Sequence, residues 1–362
     1  MNIKVKIVFF LATLNAGGAE RVTVTQIRQL DSSKYDIYLI LVNKQGPFLE
    51  LIPKEVKIID LKKTKTLFSI LSLRRVLKDI NPDIIYSTLF RTHVALDLAL
   101  INLKHKFKTI YMSPSSPKLL FLRKEIGFLM RYLIKKAYMN SYMVLAQTPE
   151  MKEEIARYHQ IDKDKIKVFL NPIDTEMIDI QTTNIENPFN PKRINIVAAG
   201  RLSDVKGFDI LIDALAKVLE ENNNFSLYII GRDAGEEDTL KKQAERLSIS
   251  NYVNFLGYRT NPFKFFFFSD LFVLSSRREG LPNVVLENIY MKKPVIATRC
   301  VPYMSELIDD GVSGLLVDIE DANSLAEAIL NYKKIDVEKY TYMQKIISVN
   351  EFFTDIFNER YK

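Results

Sequence analysis

The sequence has no tryptophan, a single cysteine (Cys300) and three scattered histidines, His93, His105 and His159. One cysteine excludes a disulfide framework and a multi-cysteine metal site. Histidines this far apart argue against a histidine-rich zinc centre. There is no low-complexity tract, and no apolar run reaches the ~18 residues that a spanning helix needs. Near the start, Lys4 and Lys6 precede the apolar Ile7–Leu11 and small residues follow at 16–19, a faint imitation of a signal peptide. The apolar stretch is short, so a first β-strand entering a glycine turn is the preferred reading.

What is present is ordinary globular material. A length of 362 residues favours two domains. Hydrophobic residues at 47% and charged residues at 26% fit that class. The net charge of +7 is unevenly placed. Residues 1–180 carry 29 Lys/Arg against 18 Asp/Glu, and residues 181–362 carry 22 against 26. A basic first half points to an anionic partner: a membrane surface, a lipid phosphate or a nucleic acid. No recognised nucleic-acid-binding motif accompanies it, so no nucleic-acid partner is expected.

Strand-like and helix-like patterns alternate along both halves. Strands are expected at 5–11, 37–42, 56–60, 84–87, 109–113, 142–147 and 166–170, then at 194–199, 226–230, 253–256, 271–274, 295–297 and 314–317. Helices are expected at 19–30, 67–80, 150–158, 207–220, 236–247, 283–291 and 322–332. Between the halves lies the polar stretch 181–191, which carries Pro188 and Pro191, a linker signature. Such alternation implies parallel sheets covered on both faces, here two doubly wound, Rossmann-like α/β domains, 1–180 and 181–362, facing a central cleft. Ligands in such sheets bind beyond the C-terminal strand ends. The tail, about 337–361, reads as amphipathic helix, with packing back on the N-terminal domain as one placement.

The segment richest in chemistry is Glu279-Gly280-Leu281-Pro282-Asn283-Val284-Val285-Leu286-Glu287. Pro282 suits a first helical turn, leaving the N–H groups of Asn283, Val284 and Val285 as an anion site matched to phosphate. The two carboxylates stand eight positions apart, roughly 12 Å at most along a helix axis, about the length of a sugar–diphosphate–ribose unit. The ordinary alternative is a solvated Glu pair on a surface helix. Four other loops follow strand ends. Gly17 and Gly18 allow close backbone approach but do not make a dinucleotide fingerprint, and an ordinary βα turn is equally compatible. Gly200-Arg201 and Lys206 form a basic turn fit for a diphosphate, or a solvated loop. Gly231 clears space after the next strand, and Tyr258 after the one beyond it is placed to border a base. His93 follows the strand near Ser87 and is a candidate cleft residue, although a lone histidine is more often structural. The segment 118–136 mixes basic and bulky apolar residues, with Lys124, Arg131 and Lys135 on one face, as in an interfacial helix or a domain helix with a solvated basic face.

Taken in order, these motifs resemble the retaining GT-B glycosyltransferases of glycosyltransferase family 4, of the bacterial surface-polysaccharide type. The matches are Gly17–Arg21, Asn171–Asp174, Gly200-Arg201 with Lys206-Gly207, Ser275–Asn283, Glu287, Pro294–Thr298 and Asp310–Val317, covering the chain to about residue 332. The resemblance implies transfer of a hexose or N-acetylhexosamine from a nucleotide diphosphate sugar, UDP favoured, to a glycan or polyprenyl-linked acceptor. It implies retention of configuration and neither metal nor cofactor, the nucleotide sugar being a co-substrate. Arg201 and Lys206 would neutralise the leaving diphosphate, Glu279 would contact the donor sugar and Glu287 the ribose. His93 would be only a possible counterpart of the first-domain cleft residue. The expected location is cytoplasmic, with peripheral attachment to the inner face of the plasma membrane. Two departures bear on substrate identity: Pro114 stands where an ionisable residue often follows the serine, and Arg299–Pro302 lacks paired glycines. A GT-B epimerase of UDP-N-acetylhexosamine and a non-catalytic nucleotide-sugar-binding protein are the alternatives.

Overall fold

The computed structural model describes residues 4–15, 17–103, 107–118, 126–340 and 348–358. The chain forms two compact units, Met1–Asp174 together with Ile346–Lys362, and Thr175–Lys345. The division therefore falls ahead of the polar stretch at 181–191, not within it. The reason is the helix Thr175–Thr182, which packs on the helix Phe263–Phe268 of the second unit. Asp179 on it accepts from the Tyr290 hydroxyl at 2.9 Å, and the Gln181 carbonyl accepts from Asn261 at 2.9 Å.

The first unit is built on seven strands: β1 (Val5–Leu11), β2 (Tyr35–Leu41), β3 (Lys57–Asp60), β4 (Ile84–Thr88), β5 (Lys108–Met112), β6 (Met143–Ala146) and β7 (Ile166–Val168). All are parallel, in the order β3-β2-β1-β4-β5-β6-β7. The period-2 alternation of β1 divides its side chains between two cores. Val8 and Phe10 enter one; Ile7, Phe9 and Leu11 enter the other. The helix Val349–Asn358 closes the second core. Its Phe353 is fully buried, with its ring 6.0 Å from Phe9 and 6.3 Å from Tyr86. Asn350 ties it down by donating to the Gln29 carbonyl at 2.7 Å and accepting from the Asp31 amide at 2.8 Å.

The second unit carries β8 (Ile194–Ala199), β9 (Phe225–Ile230), β10 (Val253–Gly257), β11 (Leu271–Leu274), β12 (Val295–Thr298) and β13 (Leu315–Val317). They too are parallel, in the order β10-β9-β8-β11-β12-β13. The winding reverses between β8 and β11, so the loops after these two strands flank the crevice where such sheets bind ligands.

Two helical segments differ from the sequence expectation. The helix Phe90–Ala99 carries no amphipathic signature, because it is buried nearly all round, from Thr92 through Asp97 and again at Ala99. In the segment 118–136, residues 119–125, including Lys124, lie outside the described residues. The helix that follows, Phe128–Asn140, does not present Arg131 and Lys135 as a basic face. Arg131 donates to the Ile126 carbonyl and Lys135 to the Gln160 side chain, while Phe128, Leu129, Tyr132, Lys136 and Met139 are the exposed residues. Among the described residues no helix is long and apolar enough to cross a membrane.

Candidate functional site

The site assembles where β8 and β11 end. After β8 the chain makes a short helical turn, Asp204–Lys206, stopped by Gly207 at φ +60°. A β-carbon at Gly207 would stand 2.1 Å from the Ser275 carbonyl oxygen, so only glycine lets the two loops close. After β11, Ser275 and Ser276 are buried and used as fasteners. Ser275 Oγ donates to the Lys206 carbonyl at 3.0 Å, and the Arg277 amide donates to the Val205 carbonyl at 2.8 Å. Thr298 Oγ1, at the end of β12, donates to the Ser276 carbonyl at 2.6 Å. Arg277 grips Asp209 with two arms, at 2.8 and 2.6 Å, and donates to the Asp204 carbonyl at 2.6 Å. Burial opposes charge on Asp209, but the Arg277 hydrogen bonds and charge outweigh it and hold the carboxyl below its usual range. The Arg277 guanidinium is held even more firmly protonated, first by Asp209 and then by Glu320.

This scaffold brings two of the expected residues into direct contact. Lys206 Nζ donates to Glu279 Oε1 at 2.5 Å, and Ser276 Oγ donates to the same oxygen at 2.7 Å. The pair is largely but not wholly shielded, with side chains 21% and 14% exposed. Arg201 is exposed on the same loop as Lys206. Gly200 leans on the Lys206 side chain: a β-carbon there would lie 2.8 Å from its Cε. Gly231, at the end of β9, is more constrained, because a β-carbon would overlap the Gly200 carbonyl at 1.6 Å. Next along the sheet, Tyr258 is part-exposed, with the Arg232 guanidinium 5.7 Å from its ring centre.

The helix Asn283–Tyr290 starts where expected, with Pro282 as its cap and not inside its first turn, and with no capping side chain. The Val285 amide bonds the Pro282 carbonyl at 3.0 Å, so it is not open to an anion. That removes Val285 from the expected amide site, which lies next to Gly280 and the buried Leu281 in the chain. Glu287, one turn on, is buried. Sequence reasoning missed Arg277 and Cys300. Nothing in its neighbours' spacing marks Arg277 as a clamp. Cys300 lies close enough to Glu279 and Lys206 to feel both, and burial, then the Glu279 charge, pushes its thiol up to about 12.

In the first unit, Gly17 caps the helix Gly18–Gln29, and Gly18 has open space around it. His93 is a different matter. It sits on the buried helix Phe90–Ala99, fully enclosed, stacked on Tyr111 at 4.7 Å. Its Nε2 is 3.1 Å from the Ser87 carbonyl, and burial drives its pKa down to about 3. Such a ring is a neutral core group, and its position does not support a place in the reacting site.

Residues 16–177 match the family described as Glycosyltransferase Family 4, and residues 179–347 match Glycosyl transferases group 1. Together these span most of the chain, and it belongs to the family 4 type GT-B glycosyltransferases. Its curated relatives include a Campylobacter jejuni enzyme, N-acetylgalactosamine-N,N'-diacetylbacillosaminyl-diphospho-undecaprenol 4-alpha-N-acetylgalactosaminyltransferase. That relative is 26% identical over 94% of this chain and 93% of its own length. The lipopolysaccharide core biosynthesis glycosyltransferase LpsE of Rhizobium meliloti is 32% identical over 53% of this chain and 54% of its own. Among solved structures, Anabaena HepE in complex with UDP and glucose superposes with a TM-score of 0.79 at 21% identity, over 98% of this chain and 100% of that one.

Proposed function

We propose that this glycosyltransferase moves a hexose or N-acetylhexosamine from a UDP-sugar to a polyprenyl-linked glycan during assembly of a bacterial surface polysaccharide. The observation that carries the reading is the contact between Lys206 and Glu279 at the switch point of the second sheet. In a nucleotide sugar the anomeric carbon is bonded directly to a phosphate oxygen. A cation for that phosphate and a carboxylate for sugar hydroxyls must therefore be neighbours, and here they touch. The bond from the anomeric carbon to the phosphate oxygen breaks, and the electron pair leaves with UDP. Arg201 and Lys206 offset the charge that develops there, with the amides at the start of the Asn283–Tyr290 helix adding to it. The acceptor hydroxyl forms the new bond to the anomeric carbon and passes its proton to the phosphate oxygen of the departing UDP. We assign Glu287 to the ribose, Tyr258 to the border of the base pocket, and retention as the stereochemical course, with no metal required.

The C. jejuni relative is named for an undecaprenol-linked acceptor and HepE was solved with UDP; both support the substrate classes chosen. The test is a panel of nucleotide sugars scored first by thermal stabilisation and then by UDP release with a lipid-linked acceptor. Stabilisation by no UDP-sugar overturns the donor assignment. Conversion of the donor sugar without an acceptor would mark an epimerase instead. NMR of the product's anomeric proton decides the stereochemical course.

A further inference from the structure

We propose that Ser276 and Thr298 are positioning residues for the transfer, holding the Glu279 carboxylate so that one oxygen meets Lys206 and the other faces the donor sugar. The inference rests on the role proposed above for Glu279. Ser276 differs from its neighbours in what it holds. Ser275 Oγ and the Arg277 amide both donate to main-chain carbonyls, which ties loop to loop. Ser276, the residue between them, uses its one O–H on a side chain, the carboxylate of Glu279.

Both donors to that carboxylate fall on the same oxygen. Lys206 Nζ stands 2.5 Å and Ser276 Oγ 2.7 Å from Oε1. Among the described residues none donates to Oε2. An ion pair this shielded attracts more strongly than one in water, and a carboxylate free to turn would offer the ammonium group both oxygens. The Ser276 hydroxyl opposes that turn, provided that it is itself fixed. Ser276 is 1% exposed, and its carbonyl accepts from Thr298 Oγ1 at 2.6 Å. Thr298 is the last residue of β12 and stands in register with Val317 of β13, so the sheet sets its position. The resulting chain, Thr298 to Ser276 to Glu279 to Lys206, crosses the ends of β12, β11 and β8, which are neighbours in the sheet. A rigid strand end thereby orients two side chains whose own stems are long and flexible.

A double-mutant cycle separates positioning from support. Ser276→Ala should lower kcat about tenfold in the wild-type background and by less than about twofold in a Glu279→Ala background, because the hydroxyl then has no carboxylate to orient. Thr298→Val, which keeps the shape and loses the hydroxyl, should show the same coupling with a smaller loss. Equal losses in the two backgrounds overturn the proposal, as does wild-type turnover in Ser276→Ala. A crystal structure of Ser276→Ala without donor gives a readout that needs no sugar. There the Glu279 carboxylate should turn to set both oxygens on Lys206, and an unmoved carboxylate overturns the proposal. If the carboxylate turns while no UDP-sugar is consumed, the donor assignment fails and the positioning stands. If Ser276→Ala fails to fold, the coupling of Thr298→Val to Glu279→Ala decides in its place.

Discussion

Lys206 Nζ and Glu279 Oε1 meet at 2.5 Å across a separation of 73 residues, joining the loop after β8 to the loop after β11. Removing the cation should leave the fold intact, because the main-chain fasteners from Ser275 and Arg277 remain. Lys206→Ala is expected to lower turnover by about two to three orders of magnitude, the usual cost of losing one group that meets developing charge. UDP release under saturating donor measures it. Turnover within a factor of about two of wild type would remove Lys206 from the diphosphate role.

Arg277 makes no expected contact with the donor, yet it fixes both loops through Asp209 and the Asp204 carbonyl. Arg277→Lys keeps the charge but loses the two-armed grip, so we expect it to behave much like Arg277→Ala. Both should lower kcat about tenfold with little change in donor KM, since misplacing catalytic groups costs more at the transition state than in binding. Full activity in the lysine variant would show that charge alone suffices.

Gly231→Ala tests the closeness of two strand ends. The added carbon would meet the Gly200 carbonyl, which is main chain and has little room to yield. A loss of about 2–3 kcal/mol in the second unit is expected, together with weaker donor stabilisation. A melting temperature equal to that of wild type would refute the crowding.

The buried histidines predict an acid limb confined to the first unit. His93 is held at about 3 and His159 at about 4, in both cases mainly by burial, against an ordinary 6.5. The folded state thus resists protonation that the unfolded chain accepts. Stability is full above pH 6.5 and falls as pH drops through the window between 6.5 and those lowered values. Each histidine should contribute about 1.4 kcal/mol per pH unit within that window. His93→Phe with His159→Phe should flatten the dependence of melting temperature on pH between about 6 and 5, as read by calorimetry. An unchanged slope would place the acid sensitivity elsewhere.

The two sheets were legible because a buried parallel strand writes itself as a short apolar run between turn signals. β1, β8 and β11 start and stop where the pattern predicts. The loops carrying Arg201, Lys206 and Glu279 followed from those ends. What escaped depends on neighbours far along the chain. The helix Phe90–Ala99 has no polar face to set its period, so the sequence offers His93 as a candidate cleft residue where the fold makes it core. The clamp by Arg277 needs Asp209 and Glu320, and nothing in local spacing announces either partner. The unit boundary moved because the helix Thr175–Thr182 is claimed by residues near 261 and 290.

The closure of the first unit by the helix Val349–Asn358 has a consequence for how the protein is made. The strands β1 and β4 are synthesised ahead of the second unit, but Phe353, which roofs Phe9 and Tyr86, is synthesised after it. During translation the second unit has all of its residues before the first has its own last helix. The unit begun first is therefore completed after the second, and a nascent chain halted short of residue 349 carries an uncovered hydrophobic face for the whole of the delay.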